Sequence, residues 1–475
     1  MCTNTFCGPV GKSPTSIPPP GNPFYPLANP KGTDLKCEVC SKPAYLQCSL
    51  CHVTYYCGLD HQKIDWISIH ERICSTLAGL RRPISFIASE DERRKKKEET
   101  LQLQIQMVDL TQMIGQKLLF QGKPEEAVPA ALQCLKFTVD AYGLASVELV
   151  TPYLILAESS IGLNRLDQAE AYLAQAQWTM LKTQHQCSNA IRSQLQRKLA
   201  LLFAAKGDYQ AALESLAQDI YYSSCDFGPN HIRTSGGYFQ MAEVFYLIYL
   251  KEKGLAKEVE EEDKRNPLRT EGMICPSSAP QIPTSEPRRP LPPALVIKDR
   301  VPPEEPVVTN SPLYMSRIYK NSSVLPKPVE KDRVADDLFA RVVDIWATYL
   351  ATIIQSIIKK PTIPEGCGSV VAEITMNEKM TLGEAEAAEC LKMLHAINNY
   401  RTARAVKDGI QFVALAAGRP DPRARLHLAL AMVYFILEEK ARAHQYLEDA
   451  EISVKAAEKS HTLNEELALI KSALS

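Results

Sequence analysis

Cysteine and histidine are the residues here whose types and spacing could do chemistry, and they concentrate between residues 37 and 74. The stretch CEVCSKPAYLQCSLCHVTYYCGLDHQKIDWISIHERIC holds six of the 14 cysteines. With two histidines they form four pairs: Cys37/Cys40, Cys48/Cys51, Cys57/His61 and His70/Cys74. Two residues separate the members of the first two pairs, and three separate the members of the last two. Thiolates and imidazoles at these intervals are zinc ligands, and eight of them fill two tetrahedral ions with no vacant position. A closed shell leaves nowhere for a water to be activated, so such zinc is structural and not catalytic. His52 adjoins Cys51, and adjacent residues rarely both reach one ion, so it reads as a surface histidine. Cys134, Cys187, Cys225, Cys275, Cys367 and Cys390 stand singly and read as inert thiols.

The elements that position these ligands follow from the same residues. GLDHQKIDWISIHERIC has helical spacing, with Ile64, Ile67 and Cys74 available to one side. The first half, with its close-set ligands, leaves no room for regular structure. About 38 residues cannot bury enough apolar surface to fold alone, so metal must supply the missing folding free energy.

The order CxxC, CxxC, YYC, three residues, a ligand and Gln, then DW, His, three residues and Cys resembles the MYND-type zinc finger. That resemblance implies interleaved ligands: Cys37, Cys40, Cys57 and His61 at one zinc, Cys48, Cys51, His70 and Cys74 at the other. It also implies a shallow groove for proline-rich peptides lined by Gln62 and Trp66. The plain alternative is that Trp66 packs against the first helix that follows. Two features depart from the family pattern. The sixth ligand is histidine in place of cysteine, and three residues, not two, separate Trp66 from His70. A local bulge in the helix would absorb the second.

The segments on either side have distinct compositions. Residues 1–36 contain eight prolines and read as a disordered arm. Residues 75–107 read as a linker helix whose SEDERRKKKEE run is a solvated face with acid–base pairs four apart, such as Glu90 with Arg94. From 108 to 250, small residues recur: Gly115, Gly122, Ala127 and Ala131, then Ala157, Ala169 and Ala176, then Ala200, Gly207 and Ala212. A helical hairpin of about 34 residues with this spacing resembles the tetratricopeptide repeat, whose units stack into a superhelix. A fourth unit starts at GGYFQMAEVFYLIYL, breaks off, and resumes at VADDLFARVVDIWATYL. Between them residues 251–331 hold 14 of the 32 prolines and read as a disordered insertion that splits one repeat. Residues 332–475 complete the repeats, with a shorter loop at 361–380, paired helices at EAEAAECLKMLHAINNYRTARAV and DGIQFVALAA, a last repeat around Ala431, Tyr434, Ala443 and Ala450, and a capping helix at NEELALIKSALS. The expected fold is therefore mostly α: a small cross-braced two-zinc finger followed by an α-solenoid with an interruption.

Composition narrows the function. Lys plus Arg total 54 against 55 Asp plus Glu, and the finger with two zinc ions carries about −3, which opposes phosphate contact. No nucleic acid is expected. The longest uncharged apolar run, Ile345 to Ile358, is too short to span a bilayer, and the N-terminus lacks a signal-peptide pattern, so a cytoplasmic chain without a membrane partner is expected. SET-domain methyltransferases also carry MYND fingers, but need an Asn-His-Ser-Cys motif. The nearest string, Pro229-Asn230-His231-Ile232, lacks it, and no P-loop, nucleophile elbow or HExxH is present. No enzyme and no small-molecule substrate are expected. YYC, DWISIHERIC, EEAVPAAL and RTSGGYF in this order resemble MYND-finger and tetratricopeptide proteins of motile cilia and sperm flagella. That likeness implies an adaptor of the axoneme or of ciliary transport, with another tetratricopeptide protein among its partners. The alternative is a nuclear co-repressor adaptor that binds proline-rich peptides.

Overall fold

Short strands and an interrupted helix build the N-terminal unit. The computed structural model describes residues 18–24, 35–82, 87–252, 254, 328–358, 382–408, 422–456 and 461–474. Strands β1 (Gly21–Pro23), β2 (Leu46–Cys48) and β3 (Tyr55–Tyr56) form an antiparallel sheet in the order β1-β2-β3. Two sequence expectations change here. The first half of the finger does hold regular structure, because strands of three and two residues fit between ligand pairs. The arm also contributes a strand. Proline favours extended backbone and is tolerated on a sheet edge, which is where Pro23 lies. Helix α1 (Leu59–Asp65) continues through a π-turn, Trp66–His70, into α2 (Glu71–Arg81).

Helical hairpins follow. Helix α3 (Glu90–Phe120) starts at Ser89, whose hydroxyl accepts from the Glu92 N–H, and is continuous across residues 107 and 108. A change in composition at that point marks the onset of burial at Val108, not a break between a linker and a repeat. The charged run is exposed, with its ion pairs three apart (Asp91 with Arg94, Lys96 with Glu99) in place of four. Next come α4 (Pro124–Tyr142), α5 (Val150–Gly162), α6 (Leu166–Lys182), α7 (Asn189–Lys206) and α8 (Tyr209–Phe227). The turns of α3/α4, α5/α6 and α7/α8 share one backbone pattern, a left-handed residue at Gly122, Asn164 and Gly207. In each, that residue's N–H and the next reach back to carbonyls of the preceding helix, satisfying its free acceptors. Gly122 to Asn164 is 42 residues and Asn164 to Gly207 is 43. The period exceeds the expected 34 because connectors before α5 and α7 add to each hairpin. The alanines read as close-approach positions, including Ala127, Ala157, Ala169, Ala176 and Ala212, are buried where the helices cross.

Helix α9 (Ile232–Glu252) pairs with α10 (Pro328–Ile358) although 75 residues of sequence separate them. Phe239 meets Phe339 edge to face at 5.7 Å, and Lys331 forms an ion pair with Glu252, so the facing helix ends are adjacent. Most of the residues read as an insertion, and the expected loop at 361–380, lie outside the described residues. Gly237 permits the approach of α9 to α8: a Cβ there would lie 2.8 Å from Ile220 and 2.9 Å from Asp219. Asp219 is buried and paired with Arg197 at 2.8 Å. After one helix described below, α12 (Pro422–Ile436), α13 (Lys440–Ala456) and α14 (His461–Leu474) complete the helical solenoid, with Leu463 and Ile470 of the last helix buried.

Helix α11 (Glu384–Asp408) departs from the expected arrangement. Of its expected mate, DGIQFVALAA, Asp408 closes α11 and the rest lies outside the described residues. The helix itself crosses the first helices of earlier hairpins. Lys392 sits 5.1 Å over the Phe120 ring of α3, Met393 meets Ser235 of α9, and Tyr400 stacks edge on against Tyr246 of α9 at 4.7 Å. Arg404 binds Asp332 and Asp336 of α10, each at 2.7 Å, and His395 reaches the Tyr434 hydroxyl of α12 at 2.8 Å. Phe120, at the end of α3, thus meets the chain's own helix. Local periodicity cannot reveal such a crossing, because its contacts lie between 39 and 272 residues apart in sequence.

Two outcomes follow from this packing. Replacing residues 253–327 by a Gly/Ser linker of about ten residues should leave α9 and α10 paired. Amide exchange across α9 and α10 should stay as slow as in the full chain, and faster exchange would mean that residues 253–327 hold the pair together. Glu243 of α9 is fully buried with Oε1 unpaired, and burial raises its carboxyl well above the usual value, against the pull of Lys392. A raised folded-state pKa means stability is greatest below the unfolded value and is lost as pH rises. Glu243→Gln should therefore gain about 1–3 kcal/mol at pH 7, with the gain vanishing below about pH 4. An equal difference at both pH values would contradict this.

Candidate metal centre

Turn geometry brings the ligand pairs together. In both CxxC segments the residue after the second cysteine has a left-handed backbone, Ser41 (φ 57°) and His52 (φ 59°). Its N–H donates to the carbonyl of the first cysteine, Ser41 to Cys37 at 3.0 Å and His52 to Cys48 at 3.1 Å. These matching turns aim two thiols to one side. His52 is exposed and serves the turn through its backbone.

The side chains assemble into two groups: Cys37, Cys40, Cys57 and His61, and Cys48, Cys51, His70 and Cys74. Within each group the ligand atoms all lie within 4.8 Å of one another. In the first, Cys40 and Cys57 sulfurs are 3.6 Å apart, and His61 Nδ1 lies 3.1 Å from Cys57 and 3.5 Å from Cys37. In the second, Cys48 and Cys74 sulfurs are 4.0 Å apart, and His70 Nε2 lies 3.7 Å from Cys51. A tetrahedron with zinc–sulfur bonds of about 2.3 Å has sulfur–sulfur edges near ~3.8 Å and slightly shorter sulfur–nitrogen edges. Both donor sets therefore fit a structural zinc ion, bound through Nδ1 of His61 and Nε2 of His70. The groups interleave along the chain, so each ion would tie together parts that the other does not.

The π-turn decides where His70 points. Its wider hydrogen-bonding pattern accommodates one additional residue in a helix without unwinding the rest. The three residues between Trp66 and His70 are taken up here, and His70 enters the second group with the next ligand, Cys74, one turn on. Neighbouring polar groups steady these ligands. His70 Nδ1 faces Asp65 at 3.6 Å, and Asp65 accepts from the Tyr56 hydroxyl at 2.7 Å. Burial raises the Asp65 carboxyl, and His70 and Tyr56 pull the other way. Asp65 thus stands on the side of His70 away from the ligand group, where a carboxylate orients a ligating imidazole. The Thr54 hydroxyl, fully buried, is 3.0 Å from the Cys51 sulfur.

Residues 37–74 match the MYND finger family. Fingers of this family are protein-interaction modules, and the two donor groups supply the two structural zinc ions such a fold uses. The finger is fastened to the helices behind it. Ile69, Ile73 and Leu77 pack with Val108 and Ile114 of α3 and with Ala130, Cys134 and Phe137 of α4. Glu38, between two ligands of the first group, accepts from Arg81 at 2.6 Å and Gln133 at 2.9 Å and pairs with Lys136. Burial works to raise the Glu38 carboxyl, but Lys136 and Arg81 outweigh it and hold it below the usual range. Sequence reasoning did not single out Glu38, and no local signal marks it, because Gln133 and Lys136 lie more than 90 residues away.

The residues implied to line a peptide groove occupy different settings. Trp66 is 7 % exposed and belongs to the finger's own core with Cys48, Tyr56 and Cys74, its ring 5.7 Å from His70. Gln62 is 2 % exposed, and its Nε2 donates to the Pro19 carbonyl of the arm at 2.9 Å. Among the described residues, Cys134 and Cys390 are buried, Cys187 is half-buried and Cys225 exposed. No helix among them is long and apolar enough to cross a membrane.

His70→Ala should reduce bound zinc from two ions per chain to one, measured by elemental analysis of the purified protein. His52→Gly should retain both. Zinc loss from the second variant would mean that His52 is a ligand and that the turn reading is wrong.

Proposed function

We propose that the protein is a non-catalytic adaptor of motile cilia and sperm flagella. Its tetratricopeptide-like solenoid would dock on an axonemal or ciliary-transport complex while the finger engages a second protein segment. The observation that carries the adaptor reading is the fastening of a closed two-zinc finger onto α3 and α4, through Ile69, Ile73 and Leu77 and through Glu38. An interaction module held in fixed relation to a long helical scaffold sets the geometry between two bound proteins. Four protein ligands at each metal leave it no open position for substrate.

The ciliary setting is supported by resemblance: the finger, the repeats and the strings quoted from them occur in the same order as in zinc finger MYND domain-containing protein 12. Another tetratricopeptide protein is accordingly the first partner to expect. The solenoid offers it an open groove of about 550 Å³ lined by Gln177, Leu181, Arg192 and Tyr222. Trp178, beside this groove in sequence, is 56 % exposed. Aromatic and arginine side chains are the types that anchor protein interfaces.

The test is localisation of the tagged full chain in multiciliated cells, with affinity purification from isolated axonemes. Axonemal signal and recovery of structural axoneme proteins are expected. Residence confined to the nucleus, with no ciliary protein recovered, would replace this reading by the co-repressor alternative.

A further inference from the structure

The arm segment Pro18–Phe24 lies against the finger in a built site. Gly21, Asn22 and Pro23 pair with Cys48, Gln47 and Leu46 of β2, and the Phe24 N–H donates to the Tyr45 carbonyl at 3.1 Å. The Phe24 ring stands edge-on to Tyr55 at 5.5 Å. The Gln62 side chain, buried beneath the strand, donates to the Pro19 carbonyl. Gly21 crosses directly over that amide: a Cβ at this position would lie 2.7 Å from Gln62 Oε1. Backbone pairing, an aromatic contact, a buried amide and a close approach at Gly21 are the parts of a strand-addition peptide site.

We propose that Pro18–Phe24 is a built-in occupant of the finger's peptide site, which a partner must displace by offering an extended, proline-rich strand with a small residue at the Gln62 crossing. The proposal rests on the reading of the finger as an interaction module, and adds what fills its site when no partner is bound. Ten residues, 25–34, join the occupant to the finger. A short tether gives an effective concentration on the order of millimolar, so the arm competes with any free peptide of similar affinity. The arm is also an imperfect ligand. Gln62 Oε1 is buried and has no hydrogen-bond partner beneath it, so a strand that donates a hydrogen bond there is favoured over the arm. Occupancy in cis is therefore displaceable.

The experiment uses the zinc-loaded full chain, the same chain lacking residues 1–24, and a labelled peptide of residues 16–25 as probe. Two bound zinc ions and unchanged helical circular dichroism establish that the shortened chain is folded. By fluorescence anisotropy the shortened chain should bind the probe, and the full chain should bind it about tenfold more weakly, as expected for a millimolar tethered competitor and a peptide that binds at about 0.1 mM. Gln62→Ala in the shortened chain should weaken the probe. Equal affinity for both chains, or no binding to the shortened one, overturns the proposal. Hydrogen exchange over residues 45–48 gives a reading independent of added peptide. Faster exchange in the shortened chain is expected, and unchanged exchange overturns the cis contact. Neither measurement depends on cilia, so a failed search for ciliary partners would leave both results standing.

Discussion

Everything in the N-terminal unit depends on two fourfold groups of ligands that alternate along 38 residues. A segment of this length cannot bury enough apolar surface to hold one conformation, and apparent zinc-binding free energies of about 10–16 kcal/mol in finger peptides exceed anything its few buried side chains contribute. Alternation gives the clamp its rigidity. Bonds to the first ion join the opening knuckle to the start of α1, and bonds to the second join the next knuckle to the π-turn and α2. Neither half can rotate without stretching a metal–ligand bond.

That rigidity determines the junction with the helices. With α1, the π-turn and α2 fixed, Ile69, Ile73 and Leu77 point to one side and meet α3 and α4. Each buried aliphatic side chain is worth about 1.5–3 kcal/mol, so three of them outweigh the more exposed contact of Lys136 with Glu38. The charged cluster matters for a different reason. Glu38 is 10 % exposed, and a buried carboxylate without Arg81, Gln133 and Lys136 would be costly, which disfavours any other seating of the finger. Apolar contact supplies the stability, and the ion cluster selects the orientation.

Much of this was legible in the chain. The ligands announce themselves because chemistry demands particular residue types at short intervals, and the insertion before His70 could be read as a helix bulge for the same reason. Alanines and glycines marked the hairpins, since close helix approach depends on local size alone. Other features left no local trace. Asn164 takes the turn conformation of Gly122 and Gly207 without being glycine. Gln133 and Lys136 meet Glu38 from another helix, and α11 meets α3, α9, α10 and α12. Residues 18–24 of the arm were misread for an instructive reason: proline content argues against a packed core, but it does not argue against an edge strand, which needs extended backbone and few donors.

The arm and α11 raise the same thermodynamic question from opposite ends of the chain. Each lies on a surface that an adaptor would be expected to present: β2 and Gln62 on the finger, and parts of α3 and α9 on the solenoid. The two coverings differ in strength. α11 is held by Arg404 between two aspartates, by Tyr400 among aromatic rings, and by buried Cys390, Leu394 and Ile397, so it belongs to the solenoid's core. Displacing it would expose that core. The arm makes a three-residue strand, one buried amide contact and one ring contact, and leaves Gln62 Oε1 unsatisfied. A partner's binding free energy could replace those contacts at small cost. Where α11 crosses α9, α10 and α12 the surface of the solenoid is thus architecture, and the contact a partner could replace is the arm's on the finger.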